Sequence, residues 1–264
     1  MTVRAYASVL WHQLRASIAL AMQYRADFVT EGVVEVLWSV TAIVPLFVVY
    51  GERPSVAGWS FGEALMVTGF FTLLQAVLEG AINPSMALVV EQIRKGTFDF
   101  VLLKPRDAQF LVSTARILPW RSLNVVTAFA LFAYGFARLG RGPQPLDVLA
   151  AAVLFAVSVA LLYALWILSV SLAFHVVKVD NLTYAFGAVF DAARWPSSVF
   201  RGVVHVLFTF VIPLAVMTTF PAEALLGRGT AAQLGGALFA ATVALLLSRA
   251  VWSRAVARYT SASS

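Results

Sequence analysis

The chain has 264 residues, 61% of them hydrophobic and 12% charged, about half the roughly 25% charge content of a soluble globular domain. With a mean hydropathy of +0.85, that balance excludes a soluble domain and predicts an all-α integral membrane protein. The net charge of +6 reports orientation and contact with anionic lipid, because no interleaved basic and aromatic surface for nucleic acid remains once the spans are removed. The absence of cysteine removes disulfides, thiolate metal sites and thiol nucleophiles together. His12, His175 and His205 are far apart in sequence and form no ligand spacing.

Residues 3–25 read as an amphipathic helix lying in the membrane interface. Val3, Ala7, Leu10, Leu14, Ile18 and Met22 recur at helical spacing, while Arg4, Gln13 and Arg15 fall on other faces. The alternative is the start of a tilted span. No cleavable signal peptide is expected, since the first apolar run follows this charged helix and at 23 residues is too long for a signal core.

The first span is expected at 28–50, closed by the turn residues Gly51, Glu52, Arg53 and Pro54. The second is expected at 61–82 and to stop at Asn83-Pro84. A basic, aromatic stretch follows at 91–105, EQIRKGTFDFVLLKP, which reads as a short amphipathic helix on the cytoplasmic face. Its aromatic residues either sink into headgroups or plug into a partner protein. Further spans are expected at 110–137, 146–177 and 231–248.

Residues 181–221 are ambiguous. Counting 181–200 and 203–221 as full spans gives seven and places the basic tail, Arg249, Arg254 and Arg258, outside. Counting 181–200 as the fifth span and 201–221 as a segment that enters the outer leaflet and returns gives six, with both termini cytoplasmic. That arrangement puts 13 Lys and Arg (4, 15, 25, 94, 95, 104, 106, 116, 121, 178, 249, 254, 258) on cytoplasmic connections and helix ends, leaving six of the 19 outside. Asp191, Arg194, Pro196, Pro213, Phe220 and Pro221 lie in or beside the returning segment, whose interrupted backbone needs protein or water partners. An outer gate is one reading of these residues, and a kinked but ordinary span is the other.

Chemistry of an enzyme is not written into this chain. It has no G-x-S-x-G, no H-E-x-x-H and no G-x-x-x-x-G-K-[ST] nucleotide loop. The acids Glu31 and Glu35 in the first span, and Glu63 and Glu79 in the second, all fall within about two turns of an interface. They either pair with nearby Arg or Lys, or, for Glu31, Glu35 and Glu79, mark a substrate or proton pathway. Arg116 and Arg121 are expected to snorkel toward the inner headgroups. A proton-coupled carrier or a membrane scaffold, working without any ATPase, is the alternative function.

The run Ile93-Arg94-Lys95-Gly96, Phe98-Asp99 and Leu102-Leu103-Lys104-Pro105, with Val211-Ile212-Pro213 and Phe220-Pro221 later, resembles the permeases of ABC-2 type transporters. It looks closest to the small paired permeases similar to viologen exporters. The resemblance covers nearly the whole chain and implies a half-transporter in the bacterial plasma membrane. A second permease, identical or paralogous, would stand beside it, and two ATPase subunits binding ATP and magnesium would dock underneath. No cofactor is expected in this chain itself. On this likeness 91–105 is the coupling helix. Gly96 allows its close turn, Phe98 and Phe100 anchor it in the ATPase, Arg94 and Lys95 orient it, and Asp99, Lys104 and Pro105 complete the motif. The implied activity is ATP-driven export of a hydrophobic or amphiphilic substrate.

Overall fold

The computed structural model describes residues 3–23, 25–174, 187, 190–208 and 213–259. Helix α1 (Val3–Gln23) precedes α2 (Arg25–Glu52), which covers the first expected span. A tight turn at Ala57 and Gly58, both at positive φ (51° and 84°), then folds β1 (Ser55–Val56) back on β2 (Trp59–Ser60). Apart from this pairing of two residues per strand, the described elements are helical, in keeping with an all-α membrane protein.

The second span does not stop at Ile82. α3 (Phe61–Val77), a π-helical turn (Leu78–Ile82) and α4 (Asn83–Arg94) form one helical rod from Phe61 to Arg94. A proline inside a helix lacks its N–H and crowds the carbonyl four residues earlier. Here that carbonyl is Gly80, which lies in the π turn and accepts instead from the Leu118 N–H at 2.7 Å. The wide turn thus relieves Pro84, and the helix continues.

The third apolar run, expected as one span over 110–137, is divided. It comprises α6 (Ala108–Ser113), a non-helical link, a 3₁₀ turn (Pro119–Ser122) and α7 (Leu123–Leu139). Pro119 holds Leu118 in extended backbone (φ −107°, ψ 97°). The link finds partners elsewhere: Ser85 Oγ donates to the Arg116 carbonyl at 2.8 Å and accepts from its N–H at 3.1 Å. Ser17 Oγ accepts from Ile117 N–H.

α8 (Pro145–Ser171) is prolonged by a 3₁₀ turn to Phe174; residues 175–177 of its expected span lie outside the described residues. Most of the expected 181–200 span lies outside them too. Its described end is two 3₁₀ turns, Asp191–Arg194 and Ser197–Val199. Beyond them come α9 (Gly202–Val206), a π turn (Ala215–Thr219), α10 (Phe220–Leu225) and α11 (Ala231–Ala257). The last helix runs nine residues past the expected 248, carrying Arg249 and Arg254 on helical backbone.

Among the described residues, four helices are long and apolar enough to cross a membrane: Phe61–Arg94, Pro119–Leu139, Pro145–Phe174 and Ala231–Ala257. The rod is central, with 72% of its apolar window buried inside the protein. It approaches α7 so closely that a Cβ on Gly135 would stand 2.9 Å from the Gly62 carbonyl oxygen. Small residues permit such backbone contact between helices in lipid.

The helix ends sort into two sets. At one end, here called the hairpin end, lie the starts of α3, α8 and α11 and the end of α7. Arg228 pairs with Glu63 there, and Arg141 donates to the Leu226 carbonyl at 3.0 Å. At the other, basic end, Tyr6 of α1 meets Phe110 of α6 edge to face (4.7 Å), and α11 reaches Asp107 and Phe98 through Arg249 and Trp252. α1 and the close of α11 therefore share one end of the bundle.

Candidate functional site

At the basic end the rod stops at Arg94 and the chain reverses on Gly96, whose φ of +68° belongs to the left-handed region that glycine adopts freely. The Thr97 N–H donates to the Gln92 carbonyl (2.9 Å) and the Gly96 N–H to the Ile93 carbonyl (3.2 Å). These two bonds close the helix in a Schellman pattern. One further helical turn, α5 (Asp99–Leu102), follows. The expected continuous helix over 91–105 is thus the last turn of the rod, a glycine reversal and a separate short turn.

This geometry sends its two phenylalanines in opposite directions. Phe98 is fully buried, whereas Phe100 is 68% and Leu103 79% exposed. Phe98 meets Phe174 (ring centroids 5.4 Å), Tyr259 (5.5 Å) and Trp252 (6.2 Å), each edge to face. Phe174 closes the cluster on Trp252 and Tyr259 at 5.6 Å. Phe98 therefore bolts the reversal to the ends of α8 and α11, and the exposed apolar pair is Phe100 with Leu103. Around that pair Arg94, Lys95, Lys104 and Pro105 are exposed. Lys95 pairs with Glu91 one turn earlier at 2.5 Å. Asp99 is half-buried. Burial, with the Asp99 carboxylate adding to it, pushes the Tyr259 hydroxyl above its ordinary pKa.

A second brace lies beside the first. Arg249 Nη2 reaches Asp107 Oδ2 at 2.5 Å, while Nη1 donates to Asp107 Oδ1 at 3.1 Å and Gln109 Oε1 at 2.8 Å. Asp107 also caps α6, accepting from the Phe110 N–H at 3.0 Å. The Arg249 guanidinium holds the Asp107 carboxyl below its usual range.

The segment 190–230 forms a second assembly. Asp191 and Arg194 pair at 3.2 Å across a 3₁₀ turn, and the Arg194 guanidinium lies 5.2 Å from the Phe71 ring centre. Pro196 is buried. The Trp59 indole N–H donates to Ser198 Oγ at 3.1 Å, which places Ser198 at the hairpin end. Pro213 is half-buried and its carbonyl accepts from Met217 N–H. In the π turn that follows, the carbonyl of Val216 accepts from Ser158 Oγ at 3.1 Å, about 20 Å along α8 from Pro145 at roughly 1.5 Å per residue. Thr218 Oγ1 donates to the Ala193 carbonyl (2.7 Å), and Thr219 Oγ1 accepts from Ser197 N–H (3.1 Å). Phe220 is half-buried and Pro221 buried, and the chain is again at the hairpin end by Leu226. Residues 209–212, which include Val211 and Ile212, lie outside the described residues.

A family model described as ABC-2 family transporter protein matches residues 36–263. The chain belongs to the ABC-2 transporter family. No curated protein and no solved structure matches it closely. The ABC-2 permease is a membrane transport component that works with an ATP-binding subunit, and this one is a multi-pass membrane protein by its apolar helices.

Among the described residues, the glutamates of the permease are not gathered into one constellation. Glu31 is exposed on α2, and the side chain of Glu35 lies outside those described. Glu79 sits half-buried in the π turn, where Asn83 Nδ2 approaches both its oxygens at 3.3–3.4 Å. Glu63, at the hairpin end, binds the Ser60 N–H at 2.9 Å and pairs with Arg228. The pairs Glu63–Arg228 and Asp107–Arg249 escaped the sequence reading, since their partners are more than 100 residues apart and no local spacing marks them.

Proposed function

We propose that this permease is one of two membrane subunits of an ATP-driven exporter, and that the exposed turn at 94–105 is where the ATPase docks. The observation that carries this reading is the division of labour between Phe98 and its neighbours. Phe98 ties the turn to α8 and α11, while Phe100 and Leu103 stand exposed among Arg94, Lys95 and Lys104. Apolar anchors ringed by cations suit a protein groove, and a turn bolted to two other helices passes a push on to the bundle. The expected pair of anchors, Phe98 with Phe100, is replaced in this proposal by Phe100 with Leu103.

On this reading the basic end is cytoplasmic, both termini lie inside, and six spans cross the bacterial plasma membrane. Residues 181–200 make the fifth crossing, and 201–221 enter from outside and return. The contacts of Ser198 and Leu226 at the hairpin end, with Val216 beside Ser158 between them, support that path. Asp191, Arg194, Pro196, Pro213, Phe220 and Pro221 then form or flank an outer gate closed by the Thr218 and Thr219 hydroxyls. ATP and magnesium bind in two ATPase subunits, and a second permease, identical or paralogous, completes the pathway. The cargo is hydrophobic or amphiphilic, as for the viologen-exporter-like branch. Glu31, Glu35 and Glu79 remain the residues a proton-coupled carrier would need.

The double substitution Phe100→Ala with Leu103→Ala tests the docking. It should lower ATPase recovery and transport-coupled hydrolysis while leaving membrane insertion intact. Unchanged recovery and activity would dispose of the docking role.

A further inference from the structure

Between α1 and the stretch after α5 lies an open cleft of about 410 Å³, within the range of roughly 300–1,000 Å³ common for small-ligand sites. Val9 and His12 line it from α1, and Lys104, Pro105, Arg106 and Leu111 from the other side. Two cations therefore face it, and none of its lining residues is acidic. The adjoining carboxylate, Asp107, is held by Arg249 at 2.5 Å. Gln13, also on the wall, is occupied: its Nε2 donates to the Leu111 carbonyl (3.4 Å) and its Oε1 accepts from Thr114 (2.5 Å). His12 Nδ1 donates to the Ser8 carbonyl at 2.6 Å, which leaves Nε2 as the ring atom open to a ligand. Arg106 is steadied by the Tyr6 ring, 6.0 Å from its guanidinium carbon.

Ser8 adds a hydroxyl to the lining; the remaining walls are apolar, through Val9, Pro105 and Leu111, and α1 beside them exposes Leu10, Trp11 and Ile18. Such a helix, with an indole among aliphatic side chains, suits the boundary between acyl chains and headgroups. We propose that the cleft holds the headgroup of an anionic phospholipid, its phosphate between Lys104 and Arg106 and its glycerol and upper acyl carbons along α1. Charge complementarity and continuity with the exposed apolar side chains of α1 select this occupant. A soluble phosphate would meet the cations but make no use of the apolar walls. The site concerns the lipid alone and stands whether or not the neighbouring turn docks an ATPase.

The test is native mass spectrometry of the purified full chain, without ATPase, titrated with phosphatidylglycerol or phosphatidylcholine of identical acyl chains. Wild type should bind phosphatidylglycerol more tightly. Each Lys or Arg near a lipid surface contributes about fivefold in affinity for anionic lipid, so Lys104→Gln with Arg106→Gln should weaken it by roughly 30-fold. Phosphatidylcholine binding should not change. Arg254→Gln with Arg258→Gln, which removes the same charge elsewhere at the basic end, should leave the preference in place, and millimolar inorganic phosphate should not displace the lipid. Equal binding of both lipids, an unaltered preference in the Lys104 and Arg106 variant, an equal loss in the control variant, or displacement by phosphate would each overturn the proposal.

Discussion

Replacing Phe98 with alanine removes a ring that is 0% exposed and sits edge to face against three others. Truncating a buried phenylalanine costs about 3–5 kcal/mol, from lost transfer energy and the cavity left behind. The loss falls on a short segment held by little else, since α5 is a single turn and Val101 is its one other buried side chain. The expected result is therefore local opening of 96–104 with the bundle intact. Hydrogen exchange reads it directly. Val101 and Leu103 donate to the carbonyls of Phe98 and Asp99 at 2.9 and 3.0 Å. If about 3 kcal/mol is released, their exchange should accelerate by roughly 150-fold, at 1.36 kcal/mol per tenfold. Amides in the buried middle of α3 should keep their protection. Phe98→Leu, which refills most of the space, should accelerate exchange by no more than about tenfold, since volume-conserving swaps usually cost under about 1.5 kcal/mol. Exchange in Phe98→Ala within threefold of wild type would refute the view that this ring anchors the turn.

Other expectations follow from the same contacts. Gly96→Ala places a side chain at φ +68° and should cost roughly 1–2 kcal/mol, read as faster exchange at the reversal with the membrane helices unaffected. Gly135→Ala drives a methyl against the Gly62 carbonyl, 2.9 Å away; overpacking of this kind costs about 1–3 kcal/mol, so the melting temperature in detergent should fall. Arg249→Gln removes a partly exposed pair worth roughly 0.2–1 kcal/mol. Because Asp107 has a lowered pKa in the fold, its contribution is complete above the ordinary carboxylate value of about 3.9 and is lost as pH falls through the folded value. The melting difference between wild type and Arg249→Gln should thus be flat from about pH 8 to 5 and shrink below about 4; a change between pH 8 and 6 would contradict this. Arg228→Gln unpairs Glu63 at the hairpin end and should raise the labelling rate of a cysteine introduced at the exposed Ala231; an unchanged rate would contradict this.

Much of the helical frame is legible in composition and run length, because lipid demands long apolar helices with internally paired backbones. α2, α8 and α11 begin within three residues of where the apolar runs place them. The failures are physical and specific. Pro84 reads as a stop, yet a π turn passes it by handing the Gly80 carbonyl to Leu118, a contact between residues far apart in sequence. The reverse occurs at 114–118, where a continuous apolar run breaks because Pro119 keeps Leu118 extended and Ser85 and Ser17 supply the missing bonds. At the site, the family motif located the turn, but residue type could not tell an inward phenylalanine from an outward one. Phe98 with Val101, both buried, and Phe100 with Leu103, both exposed, have the same three-residue spacing, so no local signal separates the two pairs. Thr218 and Thr219 supply two hydroxyl bonds that tie the π turn to Ala193 and Ser197, contacts between residues more than 20 apart that no local spacing marks.

A photo-crosslinking residue placed at position 100 or at position 98, in permease co-expressed with its ATP-binding subunit, tests the docking turn most directly. Position 100 should crosslink to a polypeptide carrying a nucleotide-binding loop, and position 98 only within the permease, to the Phe174, Trp252 and Tyr259 region. Crosslinks from position 100 to lipid alone, with the ATP-binding subunit captured through another surface, would contradict the docking role.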